Sequence, residues 1–193
     1  MHWSEVRASD LVVVDSEGNL IAGAAPPEPT AFYIHARIHL GNPKASCVLH
    51  THLPYATAIA HLQNGRIEWI GQASTRFYGN VAYYDDYNGL VLDNAEGDRI
   101  CEALGDKRVL FLANHGVIVV GETVARAFDD LYYLERVCQN QVIAMQTGRP
   151  LRHLSHELLE HIAAQRARDV GAVPLHFASL KRGLDRTEPD YAD

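Results

Sequence analysis

The order of apolar and polar positions divides the chain into short β-rich runs and longer stretches of helical period. Residues 10–23, DLVVVDSEGNLIAG, place two apolar runs about a Ser-Glu-Gly-Asn turn and predict a hairpin. GAAPPEPT reads as a loop through its prolines. Phe32, His35, Ala36 and His39 then fall at helical spacing and run into a Gly41-Asn42-Pro43 stop. ASCVLHTH predicts a short strand. Pro54 opens an alanine-rich helix, PYATAIAHL, at the position where a missing N–H costs least.

Further along, RIEWIGQ predicts a strand, Val81 to Tyr84 another, and NAEGDRICEALGD a helix. RVLFLANHGVIVVG is two β-rich runs separated by Asn114-His115-Gly116. Thr123 caps a long amphipathic helix marked by Val124, Ala127, Phe128, Leu131, Glu135, Cys138, Val142 and Met145. A last helix, from about Ser155 to Arg168, precedes a tail of mixed charge. Strands and helices alternate irregularly, with hairpin-like pairs and no internal repeat, which predicts a mixed α/β layered domain.

Composition narrows the class. A length of 193 residues suits one domain with a sizeable core, and 47% hydrophobic with 21% charged residues is ordinary for a globular chain. The 17 basic and 24 acidic residues give a net charge of -7, which argues against a nucleic-acid or membrane-surface partner. Cys47, Cys101 and Cys138 are far apart, odd in number and without C-x-x-C spacing, so a reducing cytoplasm is expected rather than a disulfide framework. No apolar run approaches the ~18 residues of a spanning helix, and MHWSEVRASD has no signal-peptide core.

Histidines supply the candidate chemistry. His50 and His52 end a predicted strand, where residues two apart share a face. On a helix the two rings would diverge by about 200°. His115, in a tight turn beside Gly116, is the best third ligand. Three imidazoles with one open position is the usual layout of a catalytic zinc site. Read from spacing alone, the same three histidines fit surface or hydrogen-bonded residues equally well.

His35 and His39 form HARIH, which lacks the glutamate of a helical zinc motif because Ala36 stands there, so they read as packed helix residues or as groups that support the metal ligands from behind. His2, His61, His153, His156, His161 and His176 read as ordinary. Phosphate-binding glycine loops and a G-x-S-x-G elbow are absent from the sequence. Phe77, Tyr78, Tyr83, Tyr84 and Tyr87 read as core or interface, or as the source of a phenol acid or base.

NPKASCVLHTHLPYATAIA together with VLFLANHGVIVVGETVARAFDDLYYLERVCQNQVIA resembles the class II aldolase/adducin family. That family includes metal-dependent fuculose-phosphate and rhamnulose-phosphate aldolases and ribulose-phosphate 4-epimerase. The resemblance implies that His50, His52 and His115 are metal ligands. It implies a three-layer α/β/α sandwich around a largely antiparallel sheet, as one domain over residues 1–193. It also implies a homo-oligomer, a tetramer first, with sites near subunit interfaces. The cofactor would be a divalent metal ion, zinc first, with manganese, iron or cobalt as other occupants. The activity implied is that of a lyase, an aldolase or decarboxylase, cleaving a small hydroxy-carbonyl or sugar-derived substrate through a metal-stabilised enolate.

Two departures qualify that expectation. The aldolases carry an acid/base glutamate four residues before the position of His35, and Ala31 stands there. Candidate acid/base groups are therefore Glu28, three residues earlier in a proline-rich loop, and Tyr78, Tyr84 or Asp85. TAFYIHARIHLGNP, RFYGNVAYYDDYNG and the tail LKRGLDRTEPDYAD resemble the adducin-like branch, which includes cytoskeletal head domains without the catalytic histidines. The family also has a preceding segment with a Gly-Asn-x-Ser phosphate loop, and MHWSE corresponds to a point after it. The expectation is a form short at its N-terminus, for which carbonyl acids suit better than phosphorylated sugars. A non-catalytic scaffold and a metal-dependent epimerase are the alternative readings.

Overall fold

The computed structural model describes residues 5–166 and 171–193. The opening Met1 to Ser4 and the expected helix end at Arg168 lie outside the described residues.

The chain runs β1 (Val13–Val14), β2 (Leu20–Ala22), α1 (Pro29–Gly41), β3 (Cys47–Thr51), α2 (Pro54–Ala60), β4 (Val81–Tyr84), α3 (Asn94–Leu104), β5 (Val109–Leu112), β6 (Gly116–Gly121), α4 (Val124–Gln146), α5 (His156–Arg166) and α6 (Ala172–Thr187). The main sheet has the order β3-β6-β5-β4. β3 and β5 are antiparallel to β6, and β4 pairs parallel with β5, so the sheet is mixed with antiparallel pairings in the majority. β1 and β2 form the expected hairpin, a separate two-stranded ribbon. Its turn is held by Asp15, whose carboxylate accepts from the backbone N–H of Glu17 and of Asn19.

β5 and β6 are buried at every position, so they read as continuous apolar runs rather than alternating ones. Strand alternation then splits their side chains between two cores. Val109, Phe111, Val117 and Val119 meet α2 and α4 through Ala56, Ile59, Leu131, Leu134 and Cys138. Leu110, Leu112, Ile118 and Val120 meet α1 and α3 through Ile34, Ile38, Ile100 and Leu104. The result is the three-layer α/β/α sandwich expected from the resemblance.

Caps fix the helix ends. Thr123 accepts from the N–H of Arg126, as its sequence position predicts for α4. Asp93 caps α3 through the N–H of Glu96. The first N–H groups of α2 are taken by the carboxylate of Glu135 on α4, at 3.0 Å from Tyr55 and 2.9 Å from Ala56.

Two expectations are overturned. RIEWIGQ forms no strand, because side chains stand in for a neighbouring strand. The Ile67 N–H donates to the Tyr83 hydroxyl, the Glu68 N–H to Gln141 Oε1, and Gln141 Nε2 donates to the Arg66 carbonyl. The stretch read as a charged tail forms α6, which packs on α4 through Phe177 against Phe128 and His176 against Tyr132.

Candidate metal centre

His50 is the fourth residue of β3, and its register partner is Ile118. His52 follows the strand. His115 comes from the turn joining β5 to β6, in which the His115 N–H closes on the Leu112 carbonyl. The unusual backbone angle in that turn belongs to Asn114, at φ 57°, a conformation asparagine tolerates. Gly116 is needed for a different reason than the one its position suggested. A Cβ there would lie 2.6 Å from Cδ2 of His52 and 2.6 Å from the Thr51 carbonyl oxygen, so only glycine lets β6 begin beside the ring.

The turn brings the three rings together. Centroids are 5.0 Å apart for His50 and His52, 4.7 Å for His50 and His115, and 4.8 Å for His52 and His115. One ligand nitrogen from each lies within 4.8 Å of the others. Zn–N bonds of 2.0–2.1 Å at tetrahedral angles need nitrogens roughly 3.3 Å apart, so separations of up to 4.8 Å would close by as much as about 1.5 Å through rotation of the three rings.

The donor chemistry fits as well. Nδ1 of His50 sits 3.1 Å from the Val117 carbonyl, which can only accept, so Nδ1 carries the proton and Nε2 keeps its lone pair. Burial, and then the neighbouring His115, pushes His50 down to about 4. Burial and then His52 lower His115. Both imidazoles are therefore neutral at neutral pH, the form that binds a cation. His35, on α1 behind this group, is lowered by burial and then by His39. His39 bonds through Nδ1 to the Ala45 carbonyl.

The candidate acid/base residues are dispersed. Tyr84 ends β4 and is closest in the fold to the histidines, in a small recess it shares with His115, Asn88 and Glu96. Its hydroxyl donates to Glu96 and accepts from Asn88, and burial first of all raises its pKa. Asp85 is turned away into a bidentate pair with Arg66. Glu28 folds back onto its own helix, where its carboxylate takes the Thr30 hydroxyl and the Ala31 N–H. Tyr78 precedes β4 at the opposite end of the sheet, with its hydroxyl on Nδ1 of His156. Within one chain Tyr78 does not meet the histidines.

Glu96 escaped the sequence reading. It is 7% exposed and held by Arg99, Asn88 and Tyr84. Three residues after the cap Asp93, it matched a routine helix start, and only the fold turns it toward Tyr84.

A layered α/β fold with three imidazoles gathered at the strand ends, His50 and His115 among them held neutral, offers a donor set that could hold a metal ion. Residues 1–142 match the model of the Class II Aldolase and Adducin N-terminal domain, and the chain belongs to that family. A Caulobacter vibrioides protein assigned to aldolase class 2 is 35% identical over 196 residues, covering 100% of this chain and 76% of its own. The decarboxylase NovR of Streptomyces niveus is 30% identical over 192 residues, covering 95% and 69%. The crystal structure of an aldolase II superfamily protein from Pseudomonas syringae superposes with a TM-score of 0.92 at 32% identity, covering 100% of this chain and 78% of that one. Among the described residues, no helix is long and apolar enough to cross a membrane.

Proposed function

We propose that the protein is a divalent-metal-dependent lyase that breaks a carbon–carbon bond next to the carbonyl of a small hydroxy- or oxo-acid. The observation that carries this reading is the convergence of His50, His52 and His115, whose ligand atoms lie within 4.8 Å of one another. These three residues would hold the ion, zinc first. A bound divalent cation supplies Lewis-acid polarisation of a substrate oxygen and neutralises charge developing there.

The chain's own residues favour decarboxylation over retro-aldol cleavage. Retro-aldol chemistry must take a proton from a hydroxyl, and the position that would present a carboxylate one helical turn before His35 is Ala31. Glu28 is occupied as a helix cap. Loss of carbon dioxide from a 3-oxo acid needs no such base, and Tyr84, backed by Glu96, can return a proton to the product. Similarity to NovR supports the same choice. The stretches around Thr30–Pro43 and Arg76–Gly89 relate the chain to the adducin-like branch, and we take the working form to be a homo-oligomer.

The test is metal content with activity. Purified protein should hold about one divalent ion per chain by elemental analysis, and His115→Ala should hold far less. Wild type should release carbon dioxide from 3-oxo acids in a chelator-sensitive way. Unchanged metal content in His115→Ala would end the ligand assignment. A product of unchanged mass would make the protein an isomerase.

A further inference from the structure

At the end of the sheet remote from the histidines, four arginines line one cavity of about 250 Å³. Arg76 comes from the turn before β4, Arg108 from the residue before β5, Arg126 from the first turn of α4, and Arg166 from the end of α5. Their fixed partners lie behind the wall. Asp129 and Asp130, 2% and 0% exposed, pair with Arg76, and Asp130 also takes Arg108 at 2.7 Å and Arg126 at 3.0 Å. Asp129 is further bonded to His176 at 2.7 Å. Arg166 donates to the Thr75 hydroxyl and the Gln72 carbonyl.

Without counting Arg166, the two buried carboxylates face three guanidiniums, those of Arg76, Arg108 and Arg126, which leaves positive charge in excess, and arginine does not lose its proton. Among the described residues, the lining includes no acid. Arg126 holds Asp130 through Nε alone, and its Nη1 and Nη2 find no hydrogen-bond partner among the described residues. Ala172 and Val173, the first turn of the 16-residue α6, complete the wall, so the positive end of that helix adds to the field.

We propose that this cavity binds a phosphate group, separately from the metal centre. A carboxylate is satisfied by one planar arginine fork, whereas donors arriving from four elements suit a tetrahedral dianion. A second cavity of about 650 Å³ shares Arg108, Arg126 and Val173 and is lined also by Val120, Gly121 and Pro174. It gives the organic part of a phosphate monoester a place beside the phosphoryl group.

Calorimetric titration of the full chain with inorganic phosphate and with phenyl phosphate, at ionic strength fixed by chloride, tests this. The expected result is one site per chain with a dissociation constant below about 1 mM for at least one of the two. Arg126→Gln should weaken it by about tenfold or more, the loss of a charge-assisted contact. Ala163→Glu removes no ion pair and sets a carboxylate in the cavity wall, and it should do the same. His115→Ala should bind as wild type does. Equal binding of the two probes identifies a site for the free anion, and much tighter binding of the ester identifies an organic phosphate. Absence of binding by both, wild-type affinity in the two cavity variants, or loss of binding in His115→Ala would overturn the proposal.

Discussion

Replacing Gly116 by alanine tests the metal centre without touching a ligand. The new Cβ would stand 2.6 Å from Cδ2 of His52 and 2.6 Å from the Thr51 carbonyl oxygen, against an ordinary contact of 3.4–4 Å. Close to 1 Å of relief is required from each. The imidazole can swing, and swinging moves a proposed metal ligand. The carbonyl belongs to backbone whose register partner is Val117, so moving it disturbs the first rungs of the β3–β6 ladder. Overpacking of this kind costs about 1–3 kcal/mol. For a chain of this size that lowers Tm by roughly 2–10 °C. Whatever share of the strain falls on His52 appears as weaker metal binding, about tenfold for each 1.4 kcal/mol. Metal affinity by competition with a chromophoric chelator, and Tm of the metal-free protein, separate the two shares. Gly183→Ala is the control: open space surrounds that Cβ on α6, and a helical alanine should leave Tm level or raise it. If Gly116→Ala keeps both wild-type metal affinity and wild-type Tm, the packing of His52 against the start of β6 is wrong.

Glu28→Ala should lower stability by about 1 kcal/mol through loss of the α1 cap, with metal content unchanged. The Thr30 hydroxyl, then the Ala31 N–H, hold the Glu28 carboxyl below its usual 4.5. A depressed carboxylate contributes fully above that value and loses its contribution as pH falls below it, so the wild-type and variant Tm curves should converge on acidification. Divergence at low pH would refute the cap. Gly97→Ala places a Cβ 2.6 Å from Cγ of Arg37 and 2.7 Å from the Tyr33 carbonyl, where α3 crosses α1. Its urea midpoint should fall with the slope unchanged, and a midpoint at or above wild type would show that the crossing has slack.

Much of this architecture is legible from local pattern. VLFLANHGVIVVG announces two buried strands and their turn, and Thr123 announces α4, because those features depend on residues adjacent in sequence. His50 and His52 are legible for the same reason, since a strand aims alternate residues one way. His115 is legible as a candidate from its turn between two β runs, and what the fold adds is that β6 returns antiparallel beside β3 and so brings its ring to the other two. RIEWIGQ misleads because its alternation is real, but its backbone partners are Gln141 and Tyr83 rather than a strand. α6 is hidden by Pro174 and Gly183 within it and by the charges of Lys181, Arg182, Asp185 and Arg186, although Phe177 and His176 face α4. The arginine cavity is invisible to any window, since its four residues span Arg76 to Arg166.

The strand order also sets the two proposed sites apart. Parallel pairing of β4 with β5 and antiparallel pairing of β5 with β6 put Tyr84, Leu112 and Thr51 at one end of the sheet. Arg108 and Asn80 lie at the other. Four residues of strand separate the ends by about 13 Å. A cation held by three uncharged imidazoles would be disfavoured by guanidiniums at closer range, because the ligands supply no negative charge to offset them. An arginine introduced at the histidine end, for example Ala113→Arg beside His115, should weaken metal binding more at low salt than at high salt. A salt-independent loss would mean that the substitution acts by crowding rather than by charge.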